Sequence, residues 1–217
     1  MRLPGLHLVT DDRTLADDGF SHRARAVLDE GGGRVALHLR GPSTDARRLH
    51  DLAVELGPPA ADVGAWLVLN DRVDVAGALG LDRVHLGQRS LPVEVVRRLL
   101  RPGVAVSVSV HDSDEAHSAA AADWLMVGSL YVTPSHPDQP AGGLALLGAI
   151  GAVSSLPLVG IGGVTPDRAA AVRRAGADGV AVVSGVWGQA DAAGAVADYL
   201  AAWHDGAGPN GDGRDAA

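Results

Sequence analysis

The chain has 217 residues, 47% hydrophobic and 20% charged, which suits one domain with a full core. Its net charge is −8, all eighteen basic residues are arginine and there is no cysteine. Lysine Schiff bases, a phosphate-loop lysine, disulfides, thiolate nucleophiles and sulfur-ligated metals are thereby excluded.

In chain order, the first β-rich run covers residues 6–10 and precedes the helical pattern ADDGFSHRARAVLDE. A run at 34–39 leads into STDARRLHDLAVEL, one at 65–69 into Asn70-Asp71-Arg72, and one at 83–86 into SLPVEVVRRLL. Runs at 104–109, 124–127, 158–161 and 179–183 follow, with TPDRAAAVRRAG after the seventh. The runs are continuously apolar, as in strands covered on both faces. The segments between them carry apolar residues at spacings of three and four behind Ser, Thr or Asp caps. Eight βα units in this length predict an α/β fold, a single (β/α)8 TIM barrel over residues 1–204. An open doubly wound sheet is the rival. Residues 205–217, DGAGPNGDGRDAA, read as a disordered tail. No basic stripe marks a nucleic-acid partner. No segment has the roughly 18 apolar residues of a membrane span, and the N-terminal apolar run is too short for a signal peptide. No membrane association and a cytoplasmic location are expected, with homo-oligomerisation left open.

A barrel puts its active site at the C-terminal ends of its strands. After strand seven stands Gly160-Ile161-Gly162-Gly163-Val164, and after strand eight Val183-Ser184-Gly185. Glycines let main-chain amides approach a ligand, and these two loops commonly hold a phosphate in barrels. Gly162, Gly163, Val183 and Ser184 are therefore the candidate phosphate site; the plainer alternative is a tight βα turn. The other strand ends collect His38 and Arg40, Asn70 and Asp71, His85 and Gln88, Ser109 and His111, and Thr133, Ser135 and His136 in the long loop SLYVTPSHPDQPAGG. Plain alternatives stand beside each. Asn70-Asp71 caps a helix, Arg40 pairs with a surface acid, His85 is a hydrogen-bonded core histidine, His111 caps the helix beginning at 112–114, and His136 is a solvated loop residue. His7, His22, His50, His117 and His204 show no site logic. No HExxH or tight histidine pair predicts a metal.

These residues resemble the thiamine phosphate synthase / thiazole tautomerase (TenI-type) superfamily. The resemblance rests on Leu8-Val9-Thr10-Asp11, His38-Leu39-Arg40, Asn70-Asp71-Arg72-Val73-Asp74, Val84-His85-Leu86-Gly87-Gln88, Ser109-Val110-His111, Val127-Gly128, Ile161-Gly162-Gly163 and the run 176–185. It implies a barrel that binds thiazole phosphate. The synthase joins a pyrimidine pyrophosphate to thiazole phosphate with Mg²⁺; the tautomerase aromatises a carboxythiazole phosphate by moving a proton. The synthase pattern Gln-x-Arg-x-Lys is here His38-Leu39-Arg40-Gly41-Pro42. Its acid after His-Leu-Gly-Gln gives way to Arg89-Ser90, and Thr-x-Thr-Lys becomes Thr133-Pro134-Ser135-His136. A diphosphate leaving group needs fixed cations and a metal to take its charge. These departures favour a thiazole tautomerase, with His111 and His136 as acid–base groups and Arg40, Asn70, Ser109, Thr133 and Ser135 binding substrate. No cofactor is then expected. Mg²⁺ at Asp71 belongs to the synthase alternative, and a non-catalytic barrel that binds thiamine phosphates is a third.

Overall fold

The computed structural model describes residues 2–133 and 141–206. Eight parallel strands close into one barrel in sequence order: β1 (Leu6–Val9), β2 (Val35–Leu39), β3 (Trp66–Asn70), β4 (Arg83–Leu86), β5 (Ala105–Val110), β6 (Trp124–Val127), β7 (Leu158–Ile161) and β8 (Gly179–Val182). The predicted (β/α)8 barrel is the observed architecture. Every predicted strand exists, with ends moved by one residue or so. Notably, β3 takes in Asn70 and β5 reaches Val110.

The connecting helices are α1 (Asp12–Leu15), α2 (Phe20–Gly31), α3 (Ala46–Asp62), α4 (Val73–Leu79), α5 (Val93–Leu99), α6 (Ser113–Ser118), α7 (Gly143–Val153), α8 (Pro166–Arg174), α9 (Ser184–Trp187) and α10 (Ala192–Asp205). Their starts follow capping chemistry: Asp11, Asp45, Asp112 and Asp191 each accept a first-turn amide, satisfying a donor that has no intrahelical partner. α3 runs on through Pro58 and Pro59, beyond the stretch its amphipathic pattern predicts. α10 includes Asp205 and is capped by Gly206, so the first two residues of the predicted tail belong to the helix and its cap; the remainder, 207–217, lies outside the described residues. Among the described residues no helix is long and apolar enough to cross a membrane.

Burial divides into two shells. The larger one packs strand residues such as Leu6, Leu8, Leu37 and Leu69 against helix residues such as Phe20, Leu28, Leu52 and Ile150. The smaller one fills the barrel lumen with Val9, Ala36, Trp66, Val68, Trp124, Met126, Val159 and Ala181. Trp66 and Trp124 meet at 5.8 Å between ring centroids, and the Arg83 guanidinium lies 4.2 Å over the Trp66 ring. This apolar plug closes the lumen and leaves the strands' C-terminal ends as the place for polar chemistry.

Candidate active site

The lumen is not apolar all the way round. Inward positions on β1, β2, β4 and β5 place His7, His38, His85 and Ser107 in the interior, each no more than 3% exposed. His7 is therefore a deeply buried lumen residue with a defined partner, although sequence reasoning gave it no role. Its Nδ1 lies 2.9 Å from His38 Nε2, and its Nε2 3.1 Å from the Pro4 carbonyl. His38 Nδ1 faces the amide of Asn70 at 3.1 Å. His85 sits between Ser107 Oγ at 2.7 Å and Ser109 Oγ at 2.9 Å, which agrees with its reading as a hydrogen-bonded core histidine. Burial holds all three imidazoles in the neutral form. It pushes His38 down to about 4, against the Asn70 contact that raises it. His7 and His85 fall well below the ordinary histidine value, again chiefly through burial and then through the neighbouring His38.

The strand ends stand above this layer. Thr10 Oγ1 donates to the Arg40 carbonyl at 2.9 Å and accepts from the Arg40 amide at 2.8 Å, so β1 fixes the end of β2. The half-buried Arg40 guanidinium has no acid partner among the described residues, against the surface-pair alternative. Asp71 does not cap α4; Arg72 holds that position. Asp71 is the one non-glycine residue at positive φ, 62°, among the described residues. Asp tolerates this region better than most residues, and such strain gathers at functional sites. Its Oδ1 accepts from the Gly87 amide at 2.8 Å and from the Ser90 hydroxyl. The β3 and β4 loops are thus joined through one carboxylate, whose Oδ2 has no partner among the described residues.

His111 does not cap α6 either, since Asp112 does. Its amide and its Nδ1 face Glu115 Oε2 at 2.7 and 3.0 Å, and Gln88 Nε2 donates to Glu115 Oε1 at 2.9 Å. Glu115 and Gln88 thus orient the ring and leave Nε2 uncommitted. Sequence reasoning missed Glu115 as a partner, although an acid four residues beyond a histidine at a helix start is a readable signal.

On the other side, Gly162 and Gly163 take φ of 98° and 62°. A Cβ at Gly162 would lie 2.8 Å from Ser129 Cβ, and one at Gly163 would lie 2.8 Å from Tyr131 Cβ. Leu130 and Tyr131 donate their amides to the Ile161 and Gly162 carbonyls, so the β6 loop lies along the β7 loop. Among the described residues the amides of Gly162, Gly163 and Val183 have no acceptor, and Ser184 opens α9 with its amide free. Val183 and Ser184 also line a cleft of about 630 Å³ together with Asp11, Arg13, Thr14, Arg23 and Trp187. Thr133 is described and half-buried, whereas Ser135 and His136 lie outside the described residues. His22, His117 and His204 are exposed and His50 is half-exposed on a helix, as expected.

The donor set bears on Mg²⁺. No three His, Cys, Asp or Glu side chains converge among the described residues. Asp71 offers one free carboxylate oxygen, and Mg²⁺ is commonly held by one or two carboxylates plus substrate phosphate oxygens. Asp71 together with a diphosphate-bearing substrate therefore fits this metal, and Asp71 is the residue that would hold it.

A closed parallel barrel with main-chain amides beyond β7 and β8 that have no acceptor among the described residues, and polar side chains beyond β2 to β5, is a protein of the (β/α)8 class, in which active sites lie at this end of the strands. A family model described as thiamine monophosphate synthase (TMP-TENI) matches residues 6–186. The thiamine-phosphate synthase of Moorella thermoacetica is 45% identical over 167 residues, 76% of this chain and 80% of that protein. The thiamine-phosphate synthase of Natronomonas pharaonis is 42% identical over 84% of this chain and 86% of its own. A solved structure of thiamine phosphate pyrophosphorylase from Pyrococcus furiosus superposes with a TM-score of 0.82 at 29% identity, covering 94% of this chain and 98% of that one. The chain belongs to the thiamine monophosphate synthase (TMP-TENI) family and is an enzyme of thiamine biosynthesis.

Proposed function

We propose that the protein is a thiamine-phosphate synthase, which joins a pyrimidine pyrophosphate to thiazole phosphate and releases diphosphate. The reading is carried by relatives above 40% identity that bear this name across more than three-quarters of their length. It reverses the preference for a tautomerase that the missing cations suggested. The geometry supports it in two places. Among the described residues, Asp71 keeps one carboxylate oxygen without a partner, and Arg40 stands at the end of β2 without an acid to neutralise it.

The residues divide the work by chemistry. The amides of Gly162, Gly163, Val183 and Ser184 bind the thiazole phosphate through main-chain donors, which need no lysine. Arg40 pairs with the diphosphate, whose charge grows as its bond to the pyrimidine methylene breaks and the bond between the rings forms. Asp71 would hold Mg²⁺, which would supply further charge neutralisation for the diphosphate. Ser109, held by the neutral His85 beneath it, and Thr133 would contact the substrate rings.

The test is incubation with pyrimidine pyrophosphate, thiazole phosphate and Mg²⁺. Thiamine phosphate and diphosphate are expected in equal amounts. The alternative is a thiazole tautomerase, favoured by the His111–Glu115 pair, in which a carboxylate-oriented imidazole stands ready for proton transfer. Aromatisation of carboxythiazole phosphate without condensation, lowered about 10²–10⁴-fold by His111→Ala, would replace the synthase reading with this one.

A further inference from the structure

The row Pro4–His7–His38–Asn70 holds one proton too few as its atoms stand. Its three contacts join Pro4 O to His7 Nε2, His7 Nδ1 to His38 Nε2, and His38 Nδ1 to Asn70 Oδ1. Each contact needs one hydrogen between its two heavy atoms. A carbonyl oxygen stands at each end and neither supplies one. Two neutral imidazoles carry one N–H apiece, so three contacts share two hydrogens.

A third hydrogen on an imidazole would bury a cation. All four residues are at least 96% buried or classed as buried, and no acid is among the partners of either ring. Burial sets both histidines against carrying charge. With neutral rings and the amide unturned, one contact stays empty in either of two ways. Either His7 Nδ1 and His38 Nε2 face one another lone pair to lone pair at 2.9 Å, or both hydrogens move toward Asn70 and the lone pairs of His7 Nε2 and Pro4 O face one another at 3.1 Å. Turning the Asn70 amide costs nothing in shape, because its two heads are nearly the same size.

We infer that His7 and His38 are positioning residues that fix the Asn70 side chain with its NH₂ donating to His38 Nδ1 and its carbonyl oxygen turned to the barrel mouth. The hydrogens then run one way: Asn70 to His38, His38 Nε2–H to His7 Nδ1, and His7 Nε2–H to the Pro4 carbonyl. Every contact is satisfied and both rings are neutral Nε2–H tautomers. The head of Asn70 away from His38 has no protein partner among the described residues. The end of β3 therefore offers two adjacent oxygens, the Asn70 carbonyl and the free Asp71 carboxylate oxygen. Such a corner takes a hydrogen-bond donor of the substrate or a cation, and it meets a phosphate oxygen only across a cation. The tautomer of His7, on β1, thus decides what Asn70 recognises two strands away. The orientation itself is independent of which thiazole-phosphate reaction the enzyme performs.

Long-range ¹H–¹⁵N correlation spectra of the ¹⁵N-labelled protein at pH 7.5 read the tautomers directly. His7 and His38 are both expected as neutral Nε2–H rings. An Nδ1–H form or an imidazolium at His38 would overturn the inference, whatever the activity proves to be. Two variants test the positioning role. Gln at position 7 can accept from His38 and donate to Pro4 as histidine does, whereas Leu can do neither. His7→Gln should keep kcat/KM within about twofold and the His38 tautomer unchanged. His7→Leu should release the tautomer and lower kcat/KM roughly tenfold, the scale at which groups behind a ligand-contacting residue act. Equal losses in both variants with an unaltered His38 spectrum would reduce the pair to core packing. Should His7→Leu fail to fold, the wild-type spectrum and His7→Gln still decide.

Discussion

The two sides of this barrel mouth are built from different materials. Beyond β7 and β8 the surface is main chain: glycines at positive φ and amides without acceptors. Beyond β2 to β5 it is side chain: Arg40, Asn70, Asp71, Ser109 and His111 over a floor of neutral histidines. Main-chain donors cannot be titrated or exchanged by substitution, so they suit an invariant element such as a phosphate. Side chains can be altered one at a time, and two of the three departures from the synthase pattern, at Pro42 and at Arg89-Ser90, fall on that side. The proposed function uses this contrast: the phosphate is assigned to the main-chain side and the variable chemistry to the side-chain side.

The contrast can be tested on each side separately. The largest effect is expected at Arg40, where loss of a fixed charge-stabilising donor should lower kcat for condensation about 10²–10³-fold. Thiazole phosphate affinity in Arg40→Ala, measured by calorimetry, should stay within about twofold, because the proposed reading seats that ligand on the opposite side. A comparable loss of phosphate affinity would erase the division.

Acid comes next. His38 ordinarily titrates near 6.5 and is held down to about 4 by burial. Between those values the unfolded chain binds the proton that the folded chain refuses. Stability is therefore full above about pH 6.5 and falls as pH drops toward 4, by on the order of 3 kcal/mol for this residue alone. His7 and His85 act in the same direction. Urea unfolding across this range should show the slope, and His38→Gln should flatten it. A wild-type profile that is level from pH 6.5 to 4.5 would contradict the buried neutral histidines.

The smallest effect belongs to the main-chain side. Gly162→Ala places a methyl carbon 2.8 Å from Ser129 Cβ on a backbone at φ 98°. It should cost about 1–3 kcal/mol of stability by denaturant titration, the range for a residue forced into a sparsely populated conformation. Thiazole phosphate binding should weaken with it while the mouth's side chains keep their positions.

Much of this was legible in the sequence because a barrel converts strand ends into a site. Once the eight apolar runs are counted, Arg40, Asn70, Asp71, Ser109 and the glycines of β7 and β8 fall on one face without further information. What stayed hidden depends on register and backbone sign. His7 and His38 are 31 residues apart, and only the pairing of β1 with β2 brings their rings to 2.9 Å. The left-handed turn at Asp71, which aims its carboxylate at Gly87 and Ser90, leaves no mark in composition. Glu115 was readable one helical turn beyond His111, but an acid in a first turn looks first like favourable helix-dipole placement.

The close seam between the β6 and β7 loops also constrains how this protein can be varied. Gly162 and Gly163 leave no room beside Ser129 and Tyr131, and two amides of one loop end on carbonyls of the other. Residues 129–132 and 160–164 are therefore shaped to one another. A chimera that imports one stretch from a relative without its counterpart brings together surfaces shaped for different neighbours.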